Sequence, residues 1–227
     1  MMKVSGIDIA VTKSRRKTVS IFIERDGTVS ARVPEQWATD KIKQAILSKQ
    51  YLIHKHLAEW EQLNESRVMR EYVSGQSFLY LGRNYALKLV EEPLDHLLLK
   101  NGRFLLGKAY QDNAKELFVT FYKDKLRKKL PPLITRYQSQ LNVKPNEVRV
   151  MELQNRWGSC SEQGNVNFHW KCAMAPYDVL TYIVVHELAH LLHPNHSPAF
   201  WNEVDKVLPR YDKQVEWLKR NGAGMDL

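Results

Sequence analysis

One stretch limits what this chain can fold into more than any other: residues 177–201, YDVLTYIVVHELAHLLHPNHSPAFW. Leu180, Ile183, Val184, Val185, Leu188, Leu191 and Leu192 recur at helical spacing and cover more than half of the circumference. That pattern predicts a helix buried on most sides, opened by Pro176. Glu187 stands inside the apolar arc, with Ile183, Val184 and Leu191 as its helical neighbours. A carboxylate aimed into a core is costly unless something there engages it. The fold must therefore sink this helix in a core and build a polar site at one point along it.

Histidines flank that glutamate. His186 and His190 are one turn apart and about 40° apart around the axis. Two imidazoles so placed can hold one Zn²⁺ at roughly 2.0–2.1 Å each. In the pattern His-Glu-x-x-His the glutamate reaches a water rather than the ion, as general base. Burial raises a carboxyl pKa toward the range such a base needs. A catalytic zinc also needs a third protein ligand and an open position. His193 lies about 10 Å along the axis from His186, too far for one ion on a straight helix. It reads as a wall of the site or a helix-end residue, because Pro194 ends the helix after it. Pro194-Asn195 can turn the chain and return His196 to the ion. Glu203, on the next helix, is the rival third ligand. The spacing His-Glu-x-x-His-x5-His is also that of metzincins. Against that membership, His193 stands where they carry glycine, and the one later methionine, Met225, sits in a terminal GAGMDL.

Elsewhere the pattern divides the chain near residue 108. KTVSIFI and VSARVP alternate around an Asp-Gly turn and predict a hairpin. A long helix follows, with Thr39 or Asp40 as N-cap and Ile42, Ile46, Ile53, His56, Leu57, Trp60 and Leu63 on its buried face. SFLYLGRNYALKLV contains a Gly-Arg-Asn turn, and HLLLKNGRFLLG an Asn-Gly hairpin signal. From about residue 110 a helix runs to Pro131-Pro132, which must end or kink it, and LITRYQSQLNV restarts it. EVRVMEL and NVNFHW read as strands around the loop QNRWGSCSEQG. Two more helices, SPAFWNEVDKVL and KQVEWLKRNG, close the chain. No internal repeat is visible in the sequence. The expected fold class is α+β: a small β-rich part with one long helix over 1–108, then a domain over 109–227 built on the histidine-bearing helix.

Composition narrows the setting. No run approaches the roughly 18 apolar residues of a membrane span, and the N-terminus lacks a signal-peptide core. Cys160 and Cys172 are the only cysteines, too few for a disulfide framework, so a reduced cytoplasmic protein is expected. Lys and Arg number 34 against 25 Asp and Glu, a net charge of +9. That surplus favours anionic partners such as nucleic acid through a basic surface. The clusters KSRRK (13–17) and KDKLRKK (123–129) carry much of it, although each also reads as a solvated face.

Residues 155–201, with RWGSC, a following strand, HELAHL and NHS..FW, resemble the YgjP-like predicted zinc metallopeptidases, akin to Wss1-like (WLM) and SprT-like proteins. Weaker similarity in the early hairpin, the first helix and YLGRNYALKL extends the resemblance to nearly the whole chain. It implies His186, His190 and His196 as ligands of one Zn²⁺ per chain, Glu187 as the base, a zincin-like second half and a peptide or protein substrate. Kinship with SprT-like and Wss1-like proteins, together with the basic charge, extends this to DNA-associated proteins. Two other functions compete. A metal-dependent nucleoside triphosphate pyrophosphatase would suit a cationic pocket, but no Gly-rich phosphate loop is present. A nucleic-acid-binding module with a vestigial metal site would have no need of Glu187.

A peptidase also needs a group to meet the developing oxyanion, for which Arg156, Tyr211 and His193 are candidates. NVNFHW is either an edge that receives an extended peptide or an interior strand packing Val166 and Phe168. Trp157, Cys160, Phe200 and Trp201 are assigned to structure.

Overall fold

Left-handed backbone at Ser5-Gly6, Leu81-Gly82 and Asn101-Gly102, with φ between 46° and 84°, closes three two-residue hairpins of the kind that matches strand twist. The structure is a computed structural model and describes residues 1–24, 27–64, 70–153 and 156–227, without the side chains of 59, 60 and 62–64. It divides into two compact units, Met1–Arg67 and Val68–Leu227.

The first unit has strands β1 (Met2–Val4), β2 (Ile7–Ser14), β3 (Ser20–Ile23) and β4 (Val29–Pro34) in the order β1-β2-β4-β3. Strand β4 shows why it pairs where it does. Val29, Ala31 and Val33 are buried while Arg32 between them is exposed, the alternation of a half-buried strand. The expected hairpin is β3–β4, with Ile23 opposite Val29; Asp26 of its turn lies outside the described residues. The long helix is divided at Ser48-Lys49 into α1 (Thr39–Leu47) and α2 (Gln50–Asn64). The Lys49 N–H bonds to the Ile46 carbonyl there, and the Ser48 hydroxyl donates to Ala45. Ala38 is the N-cap, without a side-chain bond, so neither Thr39 nor Asp40 has that role. Ile42, Ile46 and Ile53 are buried as expected, whereas His56 is exposed. Trp60 and Leu63 have side chains outside the described set.

The second unit begins with β5 (Ser77–Tyr80), β6 (Arg83–Val90), β7 (Leu98–Lys100) and β8 (Arg103–Gly107), ordered β5-β6-β8-β7. Its wiring repeats that of the first sheet: two hairpins joined by a central parallel pair, β2 with β4 and β6 with β8. The turn after β5 is Leu81-Gly82 rather than Gly-Arg-Asn, because left-handed φ falls on those two residues. These strands pack with the helices that follow. Phe78 and Phe104 meet Phe118 at ring-centroid distances of 4.1 and 5.1 Å. The compact units accordingly part well before residue 108, where strand gives way to helix.

Helix α3 (Ala114–Leu141) runs through Pro131 and Pro132 without ending. The two prolines forfeit bonds to the carbonyls of Arg127 and Lys128, and both of those residues are exposed, so water can satisfy the freed oxygens. Burial of Leu126, Leu130, Leu133, Ile134 and Tyr137 on the opposite face holds the helix together. A sheet of β9 (Glu147–Met151), β10 (Gly158–Cys160) and β11 (Asn165–His169) follows, in the order β10-β11-β9. Strand β11 is therefore interior, with Val166 and Phe168 fully buried. The edges are β9 and β10, the latter within the stretch expected to be loop.

A 3₁₀ turn (Trp170–Met174) leads into α4 (Tyr177–Ala189), then α5 (Pro198–Val207) and α6 (Asp212–Asn221). The Leu81 and Gly82 N–H groups donate to the carbonyls of Ala173 and Met174, 2.9 Å each, so a hairpin tip braces the start of α4. Gly82 is needed there twice over. Its φ is +76°, and a Cβ would meet Pro176 Cγ at 2.8 Å. Among the described residues, no helix is long and apolar enough to cross a membrane.

Candidate metal centre

Helix α4 is apolar on nearly every side, and ten of its thirteen residues are buried, which leaves few positions for polar chemistry. It ends at Ala189, earlier than Pro194 alone would require. Leu191 and Leu192 bond back three residues to Leu188 and Ala189, a tightened 3₁₀ exit that leaves Leu192 exposed. Beyond it the chain turns through Pro194-Asn195, and Ser197 caps α5 by accepting the Phe200 N–H.

The turn brings three histidines together. Ligand atoms of His186, His190 and His196 lie within 4.8 Å of one another, and the Nε2 atoms of His186 and His196 are 3.0 Å apart. A tetrahedral zinc with bonds of about 2.0–2.1 Å separates its ligand nitrogens by roughly 3.3 Å, so the His186–His196 pair lies near the spacing the ion demands. The ring chemistry fits as well. His190 donates its Nδ1–H to the His193 carbonyl at 3.0 Å, which leaves its Nε2 bare. Tyr182 OH meets His186 Nδ1 at 3.3 Å. Burial, then the neighbouring His190 and His196, push His186 down to about 3, so the ring is neutral and its lone pair free at physiological pH. Burial lowers His196 too. Glu203 is not among these groups; it pairs with Lys206 at 2.6 Å.

Glu187 is only 6% exposed, as its place in the apolar arc predicts. Burial pushes its carboxyl up to about 8, against the attraction of Arg156. Room for it comes from Gly158. A Cβ there would lie 2.5 Å from Glu187 Cγ, Cδ and Oε1, so β10 passes directly over the carboxyl. The Trp157 carbonyl, accepting the His169 N–H and the Cys172 thiol, fixes where β10 starts. A cleft of about 870 Å³ opens over this ground, lined by Arg156, Trp157, Cys160, Tyr182, Glu187 and the three histidines among others.

Of the three oxyanion candidates, Arg156 lines the cleft. His193 contributes its carbonyl to His190. Tyr211 is packed against Trp201 and Tyr182, nearly parallel to both. Phe200, fully buried, sits against all three histidines at 4.6–5.0 Å. Gly158 and Tyr182 were not legible as site residues beforehand. Tyr182 had a usable signal in its spacing, one turn before His186. For Gly158 the signal was only a glycine between Trp157 and Ser159, with nothing to say what passes beneath it.

Residues 17–221 match the model of the family described as YgjP-like, metallopeptidase domain. A solved structure, the metallopeptidase zymogen of Pyrococcus abyssi abylysin, is 24% identical and covers 42% of this chain and 97% of its own, with a TM-score of 0.37. No curated protein matches.

Proposed function

We propose, from the premise that this chain belongs to the YgjP-like metallopeptidase family, that it hydrolyses peptide bonds with one zinc ion held by His186, His190 and His196. The observation that carries the reading is the convergence of three imidazoles beside a buried carboxyl in one open cleft. When bound, zinc supplies Lewis acidity, polarising a carbonyl and making water acidic enough to attack near neutral pH. Glu187 takes a proton from the attacking water and returns it to the leaving amide nitrogen. It must be ionised to begin, and a cation beside it offsets the burial that otherwise keeps it protonated. Arg156 stabilises charge that develops on the carbonyl oxygen. An extended substrate adds to the free edge of β10, where Gly158 and Ser159 offer backbone groups next to Glu187. The surplus of 34 basic over 25 acidic residues supports proteins bound to nucleic acid as targets.

The test is purified protein loaded with zinc, beside Glu187→Gln, His196→Ala and Glu203→Ala. Casein, a DNA-binding protein with and without DNA, and nucleoside triphosphates are the substrates. Peptide cleavage lost in Glu187→Gln and zinc lost in His196→Ala are expected. Cleavage of triphosphates alone, or zinc lost only from Glu203→Ala, overturns the assignment.

A further inference from the structure

The three histidines are held unequally. His186 and His190 rise from a buried helix, and each has its Nδ1 engaged, by Tyr182 and by the His193 carbonyl. His196 is exposed and belongs to the short turn between α4 and α5. Among the described residues, no group hydrogen-bonds its Nδ1. Ring contacts hold it instead. Trp201 stacks on His196, with centroids 5.6 Å apart and planes within 25°. Tyr211 stacks on Trp201 at 5.2 Å and 9°, and Tyr182 stacks on Tyr211 at 6.0 Å and 7°. The stack returns to the centre, because Tyr182 is the residue whose hydroxyl meets His186.

We infer that Trp201 and Tyr211 are positioning residues that fix the ring plane of His196 and so set how tightly the centre keeps its metal; this rests on the zinc reading above. A ligand on a mobile turn loses orientational freedom when it binds. A ring already stacked has lost that freedom before the ion arrives, which favours binding. Offset-stacked aromatic surfaces provide the orientation that a hydrogen bond to the free ring nitrogen usually gives a ligating histidine. Trp201 would anchor α5 in any case, and an anchoring role alone predicts nothing about metal affinity.

Zinc titration against a competing chelator separates the two roles. Wild type is measured first, and failure to bind one zinc per chain overturns the metal reading itself. With wild type loaded, Trp201→Leu keeps an apolar anchor and removes the stacking face, while Trp201→Phe keeps a smaller one. Zinc Kd is expected to weaken about 10- to 100-fold in Trp201→Leu and to recover most of the way in Trp201→Phe. Cobalt-loaded Trp201→Leu should also show an altered ligand-field spectrum, since His196 no longer holds one orientation. Should Trp201→Leu fail to fold, Tyr211→Leu decides, because it leaves Trp201 in place and removes only the ring stacked against it. A zinc Kd equal to wild type in the leucine variant that folds, with wild type binding zinc normally, overturns the inference.

Discussion

Replacing Glu187 by glutamine is expected to stabilise the metal-free protein near neutral pH, because burial raises the folded-state carboxyl from 4.5 to about 8. The sign follows from proton linkage. Below pH 4.5 both folded and unfolded chains hold this proton, and the glutamate costs nothing. Between 4.5 and 8 the unfolded chain releases it and the folded chain does not, so stability falls as pH rises. Above 8 both have released it and the loss levels off. Each pH unit across that window is worth about 1.4 kcal/mol, which gives a cost of about 3 kcal/mol at pH 7. Glutamine has a similar shape and never ionises. Metal-free Glu187→Gln should therefore match wild type near pH 4.5 and exceed it by about 3 kcal/mol at pH 7. For a unit of this size that is roughly 6–12 °C in Tm. Urea denaturation of chelator-treated samples at pH 4.5, 6, 7 and 8 measures the difference directly. Zinc should reverse the order if wild type binds it more tightly, since a ligand adds RT ln(1 + [L]/Kd) to the folded state. Stabilities that run parallel in the two metal-free proteins from pH 5 to 8 would refute the claim that Glu187 is held protonated by burial.

Gly158→Ala places a methyl 2.5 Å from the Glu187 side chain. Steady-state kinetics should show kcat reduced at least about tenfold, with folding retained at a cost of about 1–3 kcal/mol; an unchanged kcat contradicts the packing of β10 over the carboxyl. Gly82→Ala meets Pro176 in a left-handed turn, and should lose about 2 kcal/mol by thermal melting, whereas Gly6→Ala, with nothing within 4 Å, should lose only the backbone part.

What could be read from the chain followed periodic and local signals. Val29, Ala31 and Val33 alternate and are buried; Asn101-Gly102 turns as its pair predicts; Glu187 lies inward because its helical neighbours are apolar. Each of these depends on residues within one turn or one strand. The prolines at 131 and 132 do not end the helix, because tertiary burial of Leu126 through Tyr137 outweighs two missing hydrogen bonds at an exposed face. Strand β10 was hidden in the loop reading for a related reason. Its pairing depends on β11, and three residues beginning with glycine carry no alternation to detect. The stack of His196, Trp201, Tyr211 and Tyr182 joins residues from α4, α5, the N-cap of α6 and the turn between α4 and α5, so only tertiary structure assembles it. That NVNFHW is interior, and not an edge, likewise depends on the company of β9 and β10.

The shared wiring of the two four-stranded sheets bears on how the chain folds. In each, the outer pairings join neighbours in sequence across tight turns, closures that take about 1–10 μs. The central parallel pairs, β2 with β4 and β6 with β8, can register only after the intervening strand has been laid down. Loop closure over that span is the entropic toll that slows non-local pairing. Both sheets thus have fast margins and a late seam. In the second, the early hairpin β5–β6 already presents the Leu81-Gly82 tip that braces α4, so the support for the histidine-bearing helix can exist before the sheet that carries it is complete.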